Sequence, residues 1–305
     1  TDTSIGISNY LATQDTAAEY GVGSAYVSAT GSNSISYGGG DSSFNSNSVA
    51  QATWAWKANG GTTASNTDGS ITTTTQVNSD AGFSIVTWAG GGTGSLGHGL
   101  GVVPDMWIVK NRDYAVSWAV GFSDSSILGG TSNYLSLNTT GTTSTYNNIW
   151  GSSPANSSTI TMAGDRSVNI SGNDYVGYFF KGKQGYSKFG KYVGNGNAKG
   201  PFVYTGFKPA FVVIKNATET ESWVMFDSKR SPFNAADKKL SPDTADSENN
   251  NSAIGGVGYN DIDILSNGFR CIKNNTATNG SNSTLIYMAF AENPFVTSTG
   301  TPTTA

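Results

Sequence analysis

His98 is the only histidine in the chain and sits in Gly97-His98-Gly99-Leu100-Gly101. Any Ser–His–Asp or Cys–His system would have to use it, and a histidine-rich metal centre is excluded. No nucleophile motif accompanies it, so it reads as a turn residue beside a strand. Gly92-Thr93-Gly94-Ser95-Leu96-Gly97 spells GxGxxG, but no helical pattern follows and no ribose-binding acid stands in a βαβ context. With 39 glycines in the chain the spelling is expected by chance. Glycoside hydrolysis needs two facing carboxylates, and the five glutamates (Glu19, Glu219, Glu221, Glu248, Glu292) fall in loop or turn contexts. Asp261-x-Asp263 and the 243–251 loop carry hard oxygen ligands of the kind calcium takes, yet lack EF-hand spacing and read as solvated turns. No catalytic residue, cofactor or metal ion is expected.

Aromatic side chains are the remaining candidates, because exposed rings bind sugars and protein partners. Trp118 and Trp223 stand at equivalent places inside strands and read as core, as does Trp107. Trp150 follows Tyr146-Asn147-Asn148 and precedes Gly151-Ser152-Ser153-Pro154. That polar setting makes Trp150 the foremost exposed anchor, with Tyr146, Tyr192 and Tyr259 as further binding candidates and Tyr204 as a weaker one.

The elements that must position these residues are strands. Charged residues make up only 12%, and the chain has 9 Leu and 5 Glu against 39 Gly and long Ser, Thr and Asn tracts. Helices are therefore poorly supplied, and an all-β fold is expected. An internal repeat organises it. Pro104/Pro209, Lys110/Lys215, Asn111/Asn216 and Trp118/Trp223 match at a spacing of 105 residues, and Tyr175–Phe180 matches Leu285–Phe290 at 110. Each repeat is the size of a β-sandwich. The expected organisation is an N-terminal β-rich segment over 1–80, sandwich-like repeats over 81–184 and 185–295, and a flexible tail over 296–305. Met106–Asn111 with Val116–Phe122, and Ala210–Asn216 with Ser222–Asp227, read as hairpins. One short helix is expected over Pro232–Leu240, capped by Ser231. Thr53–Lys57 reads as the end strand of a degenerate third unit or as a strand given to the first repeat.

Net charge is −4, and the 17 Lys+Arg are scattered apart from Lys181, Lys183, Lys188 and Lys191, so nucleic acid is not an expected partner. A single cysteine, Cys271, excludes an intrachain disulfide and fits assembly in a reducing cytosol. No apolar run approaches the roughly 18 residues that span a bilayer, and the start of the chain lacks a signal-peptide pattern. No membrane insertion is expected.

Several phrases recur in order: Ala81–Trp88, Gly97–Gly101 with Pro104 and Trp107–Lys110, Gly185–Gly190, Gly194–Gly196, Gly200–Phe207, Leu265–Phe269 and Tyr287–Phe295. With these the chain resembles an uncharacterised duplicated β-domain of tailed-bacteriophage virion proteins. The resemblance implies a non-enzymatic virion structural protein of tail-fibre or receptor-binding type, assembled in the host cytoplasm. Its implied partners are other virion proteins, further copies of itself (trimers are common among such modules) and a host-surface glycan or protein. A capsid decoration protein is the alternative, and a polysaccharide-degrading virion enzyme a more distant one.

Overall fold

Strand Asp174–Phe180 shows why the protein is layered. Tyr175 and Phe179 point to one face, Val176 and Phe180 to the other, and all four are buried. A strand apolar on both sides must be covered on both sides. The computed structural model describes residues 2–21, 27–31, 34–38, 45–59, 61–151, 155–250 and 261–291, and it is all-β apart from two four-residue helices, Ser125–Leu128 and Thr276–Asn279.

The first unit centres on an eight-stranded antiparallel sheet. Its order is Ser144–Thr145, Asn133–Ser136, Ala119–Phe122, Met106–Asn111, Asp174–Phe180, Phe83–Ala89, Thr73–Asn78 and Ala64–Asn66. The second centres on four strands, Ser187–Val193, Thr284–Ala291, Pro209–Asn216 and Val224–Asp227. These four occur in the same spatial order as their counterparts Phe83–Ala89, Asp174–Phe180, Met106–Asn111 and Ala119–Phe122, so the repeat seen in sequence is a repeat of topology. The two sheets share one apolar layer, in which Phe83, Met106 and Phe180 meet Phe211, Trp223 and Phe290. The outer face of the first is covered by the Gly94–Gly97/Thr159–Met162 pair, around Leu96, Trp107 and Phe179. The outer face of the second is covered by Phe202–Tyr204, Gly268–Cys271 and Ile262–Leu265, around Val212, Phe226 and Phe269.

Both hairpins expected from the repeat are present, with second strands shorter than expected at Ala119–Phe122 and Val224–Asp227. The residues before each second strand turn their carbonyls away from the ladder. Lys110 and Lys215 are fully buried. The Lys110 ammonium donates to the carbonyls of Val116 (2.9 Å), Thr16 (3.1 Å) and Tyr114 (3.5 Å), and that of Lys215 to Asn216 (2.8 Å), Glu221 (2.8 Å) and Thr140 (3.1 Å). The neighbouring asparagines close the same loops. Asn111 Oδ1 accepts the N–H groups of Asp113 and Tyr114, and Asn216 Oδ1 those of Thr218 and Glu219, as Asx turns do. Gly101 and Gly206, three residues before each conserved-position proline in the repeat, adopt φ of +71° and +88°, which a side chain would strain.

One acceptor of each lysine comes from outside its own hairpin. Thr16 and Thr140 lie in loops of two further hairpins: Asn9–Tyr10 with Tyr20–Gly21, and Asn133–Ser136 with Ser144–Thr145. Their registers are equivalent at a spacing of 124 residues (Asn9↔Gly21 and Tyr10↔Tyr20; Asn133↔Thr145 and Tyr134↔Ser144). So is their sequence, Gly6-Ile7-Ser8-Asn9-Tyr10-Leu11 against Gly130-Thr131-Ser132-Asn133-Tyr134-Leu135. Both loops seat alike. The Trp118 indole donates to the Ala12 carbonyl (2.9 Å) and that of Trp223 to Ser136 (3.0 Å). The Glu19 N–H donates to Arg112 O (2.7 Å) and the Thr143 N–H to Ala217 O (2.8 Å). Thus the edge hairpin of the first unit closes the second, and an N-terminal copy of that hairpin closes the first.

Two expectations about local structure are corrected. Residues 232–240 form no helix, and Lys238–Lys239 is a strand. The Ser231 hydroxyl accepts the N–H groups of Asp237 (3.2 Å) and Lys238 (3.0 Å), six and seven residues on, where a cap would take those two or three on. Asn234 instead bonds both backbone groups of Ile264 at 2.9 Å. Thr53–Lys57 is not a strand either: Trp54 and Trp56 pack their rings on Phe211 (5.3 and 5.6 Å) within the shared layer. The 296–305 tail lies outside the described residues.

Burial lowers both lysines to about 8. Because an unfolded lysine keeps its proton to about 10.4, the folded state binds fewer protons between those values, and stability rises with pH across that window. Denaturant midpoints of the wild type should therefore increase from pH 7.5 to 9.5, by about 1–2 kcal/mol per lysine. The Lys110→Met/Lys215→Met variant should lose that slope.

Candidate functional site

The groups able to do chemistry are mostly committed to holding the fold. His98 is fully buried. Its Nδ1 accepts the Leu100 N–H (3.2 Å), so the proton is on Nε2, which donates to the Asn156 carbonyl (3.0 Å). Burial lowers its pKa, partly countered by that bond and by Asp68. Both ring nitrogens are engaged by backbone, which leaves neither for a nucleophile. The GxGxxG segment runs into strand Gly94–Gly97 and turns toward Pro104 with no helix to receive a phosphate. Cys271 is buried, its Sγ 3.2 Å from the Thr278 carbonyl, and burial raises the thiol to about 12, so thiolate chemistry is closed to it.

The carboxylates are dispersed. Glu19 pairs with Arg112 (2.5 Å), Glu248 with Arg230 (2.8 Å), and Glu219 accepts from the Ser283 hydroxyl. Asp261 corrects the solvated-turn expectation: it is fully buried at the head of strand Ile262–Leu265, its Oδ2 accepts from Asn275 Nδ2 (2.9 Å), and burial raises its pKa. Among the described residues no three His, Cys, Asp or Glu side chains gather as a metal site would require.

The aromatic candidates separate. Trp118, Trp223 and Trp107 are core. Trp150 is not an exposed anchor: it is 5% exposed, its indole donates to the Asn133 carbonyl (3.1 Å), and it packs edge-on against Trp107 at 5.4 Å. Tyr146, Asn147 and Asn148 face solvent while the ring folds inward, and the Trp150 backbone bridges to Met162. Tyr192 is likewise withdrawn. Its hydroxyl donates to the Thr278 carbonyl (2.6 Å), its ring lies edge-on to Phe269, and burial holds its pKa well above the usual phenol value. Tyr146 is exposed, at 48%. Tyr259 lies outside the described residues.

Tyr204 is the candidate that the fold brings into a cleft. A groove of about 490 Å³ runs between the two units, bordered by Asp105, Asp124, Gln184, Lys188 and Tyr204. Strand Phe202–Tyr204 turns Val203 into the core and leaves Phe202 and Tyr204 outward, 46% and 58% exposed. The Lys188 ammonium lies 5.3 Å from the Tyr204 ring centre and donates to the Tyr204 carbonyl (2.8 Å). Asp105 braces the floor by accepting from Lys181 Nζ (2.7 Å) and the Gly182 N–H (2.7 Å) in the segment that joins the units. The arrangement offers an aromatic face flanked by hydrogen-bonding groups and no nucleophile. A smaller depression of about 320 Å³, lined by Thr16, Val116 and Tyr134 among others, sits at the seam of the N-terminal hairpin and offers only hydroxyl and backbone groups beside the Tyr134 ring.

Over residues 1–294 the sequence matches the family described as Domain of unknown function (DUF7483). The chain belongs to the DUF7483 family. The match takes in both units and the N-terminal hairpin, which the shared loop seats already join into one structure. No curated protein and no solved structure matches the chain significantly. Sequence reasoning passed over two features of this DUF7483 chain: the hairpin phrase repeated at 124 residues and the pairing of Phe202 with Tyr204, which the i, i+2 spacing on a strand could have given.

Because the folded His98 holds its proton less tightly than the unfolded one, stability falls as pH drops below about 6.5. Between pH 7 and 5 the wild type should lose more stability than His98→Gln, by at most about 2 kcal/mol, as measured by denaturant midpoints of both proteins.

Proposed function

We propose that this chain is a non-enzymatic structural protein of a bacteriophage particle, of tail-fibre or receptor-binding type, which engages a glycan of the host surface through the groove between its units. The observation that carries this reading is the Tyr204 ring, 58% exposed beside Lys188, Gln184 and Asp124 in that groove. Sugar rings present an apolar C–H face to aromatic rings and hydroxyls to polar side chains, and the groove supplies both. The commitment of His98, Cys271 and the buried lysines to the fold supports recognition over catalysis. The resemblance to duplicated virion domains supplies the particle, and other virion proteins are the structural partners.

The purified protein should compete with phage adsorption to host cells. Tyr204→Ala should weaken that competition by about tenfold, the worth of one aromatic contact of roughly 1.4 kcal/mol, with little change in melting temperature because the ring is exposed. A wild-type protein that neither binds cells nor competes would overturn the reading. Immunogold labelling over the head, with adsorption unaffected, would make the chain a shell-decorating protein instead.

A further inference from the structure

The chain contains a third hairpin of the kind that closes each unit. Strand Lys238–Lys239 pairs with Asn249–Asn250 in the same register (Lys238↔Asn250, Lys239↔Asn249). It encloses residues 240–248, as the others enclose 11–19 and 135–143. Leu11, Leu135 and Leu240 open the three loops. Asp15, Thr139 and Thr244 then turn them alike, each side chain accepting the N–H two residues on (2.8, 3.3 and 3.4 Å). The third hairpin also joins its own unit as the second does: Leu240 bridges to Met225 where Leu135 pairs with Val120.

The first two loops are seated on a following unit; among the described residues the third has no such seat. Ala17, Ala18, Gly141 and Thr142 are half-buried, whereas their counterparts Asp246 and Ser247 are exposed. The atoms equivalent to those that meet the tryptophan and the lysine are the carbonyls of Ser241 and Ala245. Among the described residues the indoles of Trp118 and Trp223 and the ammoniums of Lys110 and Lys215 all go to the other two loops.

We propose that the third hairpin is a docking arm by which one copy of this chain joins a second, entering the seat on the first unit that residues 2–21 of that second copy otherwise fill. Charge selects this seat. Glu19 meets Arg112 at the rim of the first unit's seat, with Arg112 Nε and Nη2 donating at 2.5 and 3.2 Å. At the second unit's seat the matching pair is Thr143 and Ala217. The third hairpin has Glu248 at that position, so it suits the seat that offers Arg112, docking exchanging the pairing of Glu248 with Arg230 (2.8 Å) for one with Arg112. The N-terminal hairpin is also the one that can leave. Among the described residues its strands pair only with each other, and side chains such as Ile5 in the shared layer and Asp2 at the Tyr178 hydroxyl hold it in place, whereas the second hairpin continues the eight-stranded sheet. A seat filled by the next copy's arm is a heterologous contact, which generates rings or filaments.

The test uses the full chain with Glu19→Arg, which sets like charges against each other at the seat and releases the N-terminal hairpin. In sedimentation at about 10 μM, E19R should reach at least twice the mass of one chain, and E19R/E248R should return to the mass of one chain. An E19R chain that stays monomeric while folded, or an E19R/E248R chain that remains associated, overturns the proposal. Should E19R fail to fold, Arg112→Cys/Glu248→Cys in the otherwise unchanged chain decides. Disulfide-linked multiples on oxidation support the arm, and an unlinked monomer overturns it.

Discussion

A buried ammonium whose hydrogen bonds all go to backbone carbonyls governs this architecture. Lys110 and Lys215 have no exposed surface, and each donates its hydrogen bonds to backbone carbonyls, with the charge of Asp15 favouring the first and those of Asp243 and Glu221 the second. Desolvating a charge costs several kcal/mol unless it is well hydrogen-bonded, so all three acceptors matter. Because one acceptor is always on a loop from outside the lysine's own hairpin, neither unit is complete by itself. The tryptophan eight residues on is bound to the same loop by its indole N–H, which would otherwise be a buried, unsatisfied donor. Apolar layers give the units their bulk stability, and these few polar contacts fix which loop sits against which unit.

That division explains where function can reside. Both faces of the central sheets are covered, and the polar side chains with the most chemistry to offer are bound there by backbone: His98 by Leu100 and Asn156, and the Oδ1 atoms of Asn111 and Asn216 by their own loops. Substituting any of them would disturb folding before it disturbed recognition. The seam between units is different. There the chain crosses from one sheet to the next, the strand Phe202–Tyr204 exposes its outward residues, and Asp105 anchors the crossing without closing the groove above it.

Much of the fold is legible in the sequence because the same residues do the same work twice. Lys110/Lys215, Asn111/Asn216 and Trp118/Trp223 recur since each is tied to a specific partner in a loop. The third member of that arrangement, the hairpin phrase at Gly6–Leu11 and Gly130–Leu135, is equally plain in the letters but recurs at 124 residues instead of 105, because it is exchanged between units and so falls out of step with them. Trp150 and Tyr192 were misleading for a different reason: polar neighbours report where the backbone faces solvent, while a large ring can reach back across it to bury itself against Trp107 or Phe269. The Pro232–Leu240 segment carries good helix-start signals, yet Asn234 gains more by bonding the edge strand at Ile264 than by joining a lone turn of helix.

Repeated hairpins and repeated seats raise the question of what keeps them in order along one chain, since loops of equal length and register would otherwise be interchangeable. The position at the rim supplies a clear distinction. In the first seat Arg112 lies half-buried against Glu19, and in the second Ala217 faces Thr143. Moving the threonine loop to the first seat would strand a partly desolvated guanidinium, and moving the glutamate loop to the second would do the same to a carboxylate, each at a cost of about 1–3 kcal/mol. The shared lysine and tryptophan contacts thus provide affinity for any hairpin of this type, while the charge at the rim rejects the wrong one, so specificity rests on a penalty rather than on a tighter fit.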